Sequence, residues 1–246
     1  MDETKKQMKN ILYFKNTKVR NIDEMLENFN SREFKSPFRS TIPLLILYKN
    51  QPGFCFNLLK NKDDAIFCFE SETKVGKGRG RSSCTDLMIA TPETCIAVEA
   101  KRTEPPYPKV KTWLGSSENK HAVLEGWIEM IVKYTGVKFN FESVQDLPYQ
   151  IVHRVASACA FNKPNTHVIY LCFDINKTQT IYYNNILNQF SDIVSKKINF
   201  HLISMKLEKF DEQRKLEMEW NDKKTRDVST QVVTGIKNNT LMQILA

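Results

Sequence analysis

Two strand-type segments joined by a short turn constrain the fold of this 246-residue chain most tightly. Residues 85–90 and 95–101 are rich in residues that favour β-strands, and residues 91–94, with the sequence TPET, have the composition of a turn. A turn centred on the Pro-Glu pair places Asp86 directly opposite Glu99. The sequence therefore predicts a β-hairpin whose register puts two carboxylates side by side.

The same register brings one lysine to the two acids. Opposed residues of a hairpin share a face with Cβ atoms about 5 Å apart, and like charges there destabilise a bare sheet. Because side chains alternate along a strand, Lys101 shares the face of Glu99, and we expect the core on the opposite face. That opposite face carries Leu87, Ile89, Ile96 and Val98. A divalent cation would offset the repulsion, whereas a solvated hairpin with charges facing water is the alternative.

The combination of Asp86 with Glu99-x-Lys101 resembles the PD-(D/E)XK nuclease superfamily, the restriction-endonuclease-like fold. In that superfamily an Asp on one strand and an acid-x-Lys on the next strand form the active site. The resemblance covers about residues 65–175. Position 85 is Thr where the superfamily's name has Pro, which leaves the subfamily open. The resemblance implies an α/β fold with a restriction-endonuclease-like core, in which helices flank a central mixed β-sheet.

The resemblance also implies a metal-dependent nuclease that hydrolyses phosphodiester bonds in DNA. Asp86 and Glu99 would bind Mg²⁺ (or Mn²⁺), which lowers the pKa of a bound water and stabilises charge on the phosphate. Lys101 would orient the nucleophile and stabilise the transition state. A third acid is expected from the preceding strand, where Glu70 and Glu72 share one face. Glu70 is preferred because it lies nearer the apolar run, and Glu72 stays open.

Residues 148–161 predict a helix that is apolar nearly all round. Its polar residues form one narrow stripe, which consists of Gln150, His153, Arg154 and Ser157. Such a helix is expected to be buried, so the stripe must meet partners inside the protein or line a cavity. In the superfamily a helix after the catalytic strands often lends a Gln or a basic residue to the site, and Gln150 or Arg154 can have this role. The alternative is that Arg154 and His153 satisfy internal acids and backbone carbonyls.

The net charge of +8 suits a polyanionic partner without identifying one. Basic residues crowd the glycine-rich segment before Asp86 and the segment after Glu99, where they would neutralise phosphates beside the metal site. A flexible, solvated basic loop is the alternative. The residues predicted to contact nucleic acid are Lys77, Arg79, Arg81, Ser83, Arg102, Tyr107 and Arg154.

An aromatic and proline-rich segment follows the hairpin. Pro105, Pro106 and Pro108 rule out a regular helix or a central strand there. Tyr107 and Trp113 lie among lysines, a mixture that suits stacking on bases or sugars together with phosphate contacts. Equally, the two rings can pin the segment to the body of the protein.

Length favours one domain over residues 1–246, with N-terminal helices in about 1–50 and a helical C-terminal appendage in about 208–246. Further helices are predicted at 21–35, 40–48, 121–135, 181–197 and 208–226, with a short buried strand as the alternative for 44–48. Further strands are predicted at 54–59, 65–72, 166–173 and 200–205. The last twenty residues show no clear pattern.

Composition indicates a cytoplasmic protein without a membrane partner. The six cysteines form no CxxC pair, and we expect buried thiols in a reducing compartment. The N-terminal residues lack a signal-peptide h-region, and no apolar run approaches the roughly 18 residues that span a bilayer.

Two other functions compete with the nuclease. One is a nuclease-fold protein that binds nucleic acid or a protein partner without cutting. The other is an assembly or regulatory module whose basic loops contact a protein. The sequence leaves open DNA or RNA as substrate, a restriction, defence or repair role, and a possible homodimer.

Overall fold

The computed structural model describes residues 10–52, 54 and 64–245. Its described strands are β1 (Ile11–Phe14), β2 (Thr17–Val19), β3 (Ile66–Thr73), β4 (Ser83–Ala90), β5 (Thr94–Lys101), β6 (Asn165–Phe173), β7 (Asn199–Lys209) and β8 (Met242–Leu245). They form one mixed sheet in the order β2-β1-β3-β4-β5-β6-β7-β8. The prediction of an α/β fold with a central mixed sheet flanked by helices is confirmed.

The described helices are α1 (Ile22–Asn28), α2 (Thr41–Asn50), α3 (Val110–Leu114), α4 (Glu118–Thr135), α5 (Phe141–Val144), α6 (Tyr149–Cys159), α7 (Lys177–Ile193), α8 (Asp211–Asn221) and α9 (Ser229–Asn238). A 3-10 helix covers Ser31–Phe34. The predicted helices are therefore present with shifted ends, except that the one predicted over 21–35 is divided into α1 and the 3-10 helix. The segment 44–48 is helical. The predicted strand at 54–59 lies outside the described residues apart from Phe54. Within the described part of the chain, no helix is long and apolar enough to cross a membrane.

The central hairpin has the predicted register. Strands β4 and β5 are antiparallel with Leu87 opposite Val98 and Ala90 opposite Cys95, and Thr91 N donates to Thr94 O at 2.8 Å to close the turn. Strand β3 is antiparallel to β4, whereas β6 runs parallel to β5 and β7 runs parallel to β6. The hairpin thus lies in the middle of the sheet.

Both faces of the hairpin are buried, which corrects one expectation. Leu87, Ile89, Ile96 and Val98 pack on one face as predicted, in a core that α1, α2, α8 and α9 complete. The other face, where the two acids and the lysine were expected to converge away from the core, also carries Met88 and Ala97 in a second core under α4, α6 and α7. The physical reason is that the sheet is the middle of three layers, so every residue from 94 to 101 is buried. The acids and the lysine therefore lie beneath a helix rather than facing water.

Helix α6 covers the charged side of the hairpin. It packs against β4, β5 and β6 as well as α4. Ile151, Val152 and Val155 have no exposed surface, so the prediction of a buried helix is confirmed. Its polar stripe consequently lies inside the protein, against the strands that carry the predicted site.

The N-terminal part of the chain contains a hairpin that the sequence does not predict. Strands β1 and β2 pair antiparallel, and β1 runs parallel to β3 with Tyr13 opposite Cys68. Only Leu12 and Phe14 of β1 are buried. Strands of three and four residues are too short to show a periodic pattern, because one or two alternations also occur by chance.

The last part of the chain completes both the sheet and the core. Strand β8 pairs antiparallel with β7, with Leu207 opposite Ile244. Helix α9 packs against α2, and its Val232 and Ile236 have no exposed surface. These residues have no pattern that is readable in the sequence because only three residues of α9 are buried.

Three of the described cysteines are buried free thiols, as expected. Cys95, Cys159 and Cys172 are enclosed by the sheet and α6, and burial raises the pKa of each thiol. Cys68 and Cys84 are free and partly exposed. Cys55 lies outside the described residues.

Truncation of Ile236 tests whether α9 belongs to the core. We expect Ile236→Ala to lower the free energy of unfolding by about 2–4 kcal/mol, because it leaves a cavity under α2. Thr234→Ala, on the exposed side of the same helix, should change it by less than about 0.5 kcal/mol. Urea denaturation of both variants measures the difference. Equal effects would contradict the packing of α9.

Candidate active site

Four of the predicted site residues form one hydrogen-bonded network between the hairpin and α6. Glu99 is its centre, where Oε1 accepts from Lys101 Nζ at 2.9 Å and from Gln150 Nε2 at 2.6 Å. Its Oε2 accepts from Arg154 Nε at 2.6 Å and pairs with Arg154 Nη2. Lys101 Nζ also donates to Gln150 Oε1 at 2.7 Å. The helix stripe and the acid-x-Lys triplet are thus parts of one site.

The charges in this network compensate one another. Glu99 and Arg154 are 2% and 1% exposed. Burial alone would raise the pKa of Glu99, but Arg154 and Lys101 outweigh it and hold that pKa below its usual range. Burial by itself would lower the pKa of Lys101. The charge and hydrogen bond of Glu99 together have the larger, opposite effect, so the pKa of Lys101 is raised. Glu99 is therefore an ionised carboxylate between two cations.

Asp86 is the carboxylate that is destabilised by like-charge repulsion from Glu99, as the hairpin register predicts. It lies opposite Glu99, one position beyond the last regular pair of the β4–β5 ladder. Its Oδ2 accepts from the backbone N–H of Ala100 at 2.7 Å, and no ion pair joins it to another described residue. Burial and the charge of Glu99 raise the pKa of Asp86 well above its usual value. Unlike Glu99, this carboxylate has no compensating cation in direct contact within the described chain.

The sheet is irregular on both sides of Asp86. The β3–β4 ladder pairs Phe69 with Leu87 and Ser71 with Thr85, and it omits Glu70 opposite Asp86. Glu70 has a left-handed backbone conformation with φ of +50°. Such a conformation costs about 1–2 kcal/mol for an L-residue and persists only where the surroundings enforce it.

The structure separates the two candidates for a third acid. Glu70 is partly buried opposite Asp86, and burial, followed by the charge of Glu33, raises its pKa to about 7. Glu72 is exposed and pairs with Lys15 at 2.8 Å. Among the described residues, no group of three His, Cys, Asp or Glu side chains is placed to hold a metal ion. Any metal here would therefore need water or substrate oxygens as further ligands.

A cavity of about 460 Å³ opens beside this network. It extends from Asp86, Gln150 and Arg154 to the exposed residues Arg81 and Tyr107. Arg154 Nη1 is buried without a hydrogen-bond partner among the described residues. A buried guanidinium N–H without a partner is costly, and a bound anion would satisfy it. The lining of the cavity therefore includes a carboxylate and the arginine that carries this unsatisfied donor.

The basic glycine-rich segment is attached to α4 rather than free. Lys77 pairs with Glu129, and the backbone of Arg79 exchanges two hydrogen bonds with Asn119 at 2.6 and 2.7 Å. A Cβ at Gly126 would overlap the segment, so glycine permits this close approach. The segment is thereby held at the rim of the cavity.

Four of the seven predicted nucleic-acid contacts lie in or just after the glycine-rich segment, and they fall into two groups. Arg79 and Arg81 are exposed without an ion pair to a described residue, and Arg81 lines the cavity. Lys77 is exposed but engaged by an acid, and Ser83 Oγ lies 2.7 Å from His153 Nδ1. Burial, followed by the charge of Arg154, lowers the pKa of His153 to about 3, so this histidine is neutral.

Arg102 is not brought to the site. Its side chain is 4% exposed, pairs with Glu217 at 2.7 Å and donates to Pro37 O at 2.7 Å. The physical reason is the strand alternation, which turns residue 102 away from the face of Lys101. Arg102 is therefore unavailable to a ligand in the cavity, contrary to its predicted role as a nucleic-acid contact.

One feature of the site has no signal in the sequence. Tyr170 lies beside Glu99 in the parallel β5–β6 ladder, and burial together with Glu99 raises its pKa well above the usual value. No local signal sets the register of a parallel pair. Trp113, singled out in the sequence, stacks on Tyr149 with ring centroids 3.5 Å apart and planes at 6°, so this ring attaches its segment to the body of the protein, which was one of the two interpretations.

The chain belongs to the family DUF6946, described as a domain of unknown function, which matches residues 18–223. No curated protein and no solved structure matches the chain. The function must consequently be argued from the site.

Neutralisation of Glu70 tests its buried position. The folded protein holds the Glu70 proton more tightly than the unfolded chain, so stability is lost as pH rises from about 4.5 to about 7. In EDTA, we expect Glu70→Gln to raise the free energy of unfolding at pH 8 by up to about 3 kcal/mol, and to raise it much less at pH 5. Glu72→Gln should change it by less than about 1 kcal/mol at both pH values. Urea denaturation tests both variants, and a pH-independent effect of Glu70→Gln would be inconsistent with burial.

Removal of Arg154 tests the buried ion pair. We expect Arg154→Met to lower the free energy of unfolding by about 3–5 kcal/mol, because it leaves Glu99 buried with less compensation. Combining it with Glu99→Gln should recover part of this loss. Arg214→Met, which breaks an exposed pair with Asp211, is the matched control and should cost less than about 1 kcal/mol. A small loss in Arg154→Met would contradict the network.

Proposed function

We propose that this protein is a metal-dependent nuclease that hydrolyses phosphodiester bonds in DNA, built on a restriction-endonuclease-like core. One observation carries the proposal. Asp86, Glu99 and Lys101 of the β4–β5 hairpin and Gln150 of the buried helix α6 meet beside one cavity. The sequence motif of the superfamily and its accompanying glutamine therefore coincide in space.

The donor set at the cavity fits Mg²⁺ (or Mn²⁺). Mg²⁺ usually keeps several waters and takes one or two carboxylates together with substrate phosphate oxygens, so a group of three protein acids is not required. Asp86 would hold the ion because its carboxylate lines the cavity without an ion pair to a described residue. Glu99 would join after exchanging one hydrogen-bond partner, and Glu70 would be the third acid. The ion would lower the pKa of a bound water and stabilise charge on the phosphate.

The remaining residues position the substrate and stabilise developing charge. Lys101 Nζ is held between Glu99 and Gln150, so its ammonium group is oriented before substrate arrives. Arg154 lines the cavity, and its Nη1, which has no hydrogen-bond partner among the described residues, would donate to a phosphate oxygen. Arg79 and Arg81 would neutralise phosphates on either side of the bond that is cut.

One observation favours the competing function, a nuclease-fold protein that binds nucleic acid without cutting. Both oxygens of Glu99 are already engaged by Lys101, Gln150 and Arg154. A site closed in this way can be retained as a structural ion pair. Both functions predict salt-dependent binding of DNA, so binding alone does not separate them. Cleavage of DNA separates them, because only the nuclease predicts it.

The first experiment measures cleavage of supercoiled plasmid, linear duplex and single-stranded DNA with Mg²⁺, with Mn²⁺ and with EDTA. We expect metal-dependent cutting that falls by at least about 100-fold in Asp86→Asn and in Lys101→Met, since each removes charge at the reacting phosphate. Asp211→Asn makes the same change as Asp86→Asn at a fully exposed position on α8 and should retain full activity.

Circular dichroism and thermal unfolding show whether each variant is folded. Cutting that persists in folded Asp86→Asn would exclude this active site. If no substrate is cut while DNA binding weakens steeply with salt, the binding-only function replaces the nuclease.

A further inference from the structure

The backbone of an exposed tyrosine is restrained where the residue lines the cavity. Tyr107 is 44% exposed, although it lines the cavity with Trp113 and Tyr149. Proline residues on both sides restrict its backbone, and Tyr149 N donates to Pro108 O at 2.9 Å. This position is therefore prepared before a ligand binds, which lowers the entropic cost of binding.

The neighbouring aromatic residues form a fixed wall. Tyr149 is stacked on Trp113, and its hydroxyl accepts from Trp127 Nε1 at 2.9 Å. The ring centroids of Tyr107 and Tyr149 lie 6.4 Å apart. Two van der Waals separations of about 3.5 Å make about 7 Å, so a small rotation of Tyr107 would admit a planar ring between them. Tyr107 is the most exposed ring of this wall, because Trp113 is only partly exposed and Tyr149 is buried.

Anion-binding groups share the cavity with the aromatic wall. Arg154 supplies a buried Nη1 without a hydrogen-bond partner among the described residues, and Arg81 supplies an exposed guanidinium. Aromatic rings beside cationic donors are the combination that binds single-stranded nucleic acid, through stacked bases and neutralised phosphates. A nucleotide matches both features, because its base can stack on an aromatic ring while its phosphate accepts from the cationic groups.

The cavity has the size of a small-ligand site. Its volume of about 460 Å³ lies within the range of clefts that hold one small molecule. Its lining runs from Arg154, which is 1% exposed, to Tyr107, which is 44% exposed. In a paired duplex each base is stacked inside the helix, so only an unpaired nucleotide can place its base against Tyr107 and its phosphate against Arg154 together.

We propose that the cavity takes one unpaired nucleotide, with its base against Tyr107 and its phosphate against Arg154. The substrate is then single-stranded DNA, or a duplex with a locally unpaired base. This inference rests on the proposed function for the placement of the phosphodiester beside Asp86. It adds the substrate class and assigns Tyr107 as the base-binding residue.

Binding without cleavage tests the inference. The probes are fluorescein-labelled oligothymidylate, an abasic strand of equal length, a fully paired blunt duplex, and the same duplex with one unpaired thymidine, all in EDTA at one salt concentration. Fluorescence anisotropy should show oligothymidylate binding at least about tenfold tighter than the paired duplex. The unpaired thymidine should restore part of that difference.

Three variants separate stacking from charge. We expect Tyr107→Ala to weaken oligothymidylate binding about tenfold and to leave binding of the abasic strand unchanged. Tyr107→Phe keeps the ring and should bind as the wild type does. Phe161→Ala removes a ring of 37% exposure outside the cavity and should have no effect.

Equal affinity for oligothymidylate and paired duplex would overturn the inference, as would an equal loss on the abasic strand in Tyr107→Ala. A failure of the proposed function can be distinguished from a failure of this inference. If the Tyr107-dependent preference is present but no substrate is cut with Mg²⁺, the base-binding site stands without the nuclease. If paired duplex is cut and Tyr107→Ala cuts it equally well, the nuclease stands without this base-binding site.

Discussion

The buried ion pair between Glu99 and Arg154 is the interaction on which the arrangement of this protein depends. Moving either charge from water into the interior costs several kcal/mol, and only close contact with an opposite charge offsets that cost. The two residues lie on β5 and α6, so their contact fixes the helix against the hairpin at one position. Lys101 and Gln150 complete the hydrogen bonding of the same carboxylate, which leaves little freedom for α6 to shift.

The two carboxylates of the hairpin are not compensated equally by cations, and Asp86 is the one that lacks a cationic partner among the described residues. Glu99 has cationic partners, while Asp86 opposite it has a backbone N–H and a cavity. Both ladders lose their regular pairing there, and Glu70 next to it adopts a left-handed backbone. A stable core would avoid this combination of burial, repulsion and strain. Local departures of this kind are expected where a protein needs a reactive or binding group, and their cost is carried by well-packed surroundings.

The surroundings that carry this cost are the two apolar layers on either side of the sheet. The layer under α1, α2 and α9 packs apolar side chains of the hairpin, whereas the layer under α6 also contains the charged network. The glycine-rich segment and the proline-rich segment close the cavity from two directions, each fastened by backbone contacts to a helix. Rigid attachment of both segments makes the cavity a formed feature of the fold, which suits a site that must hold a ligand in one orientation.

The sequence by itself determined what depends on neighbours in the chain. The turn at 91–94 and the alternation of side chains were enough to place Asp86 opposite Glu99 and Lys101 on the face of Glu99. Helical periodicity was enough to predict that Gln150 and Arg154 lie on the buried stripe of α6. Only the tertiary structure decided that this stripe closes on Glu99, that Tyr170 lies beside it, and that Arg102 turns into an ion pair with Glu217. Parallel strand register and helix-to-sheet docking join residues far apart in sequence, and they are set by the packing of whole layers rather than by any local pattern.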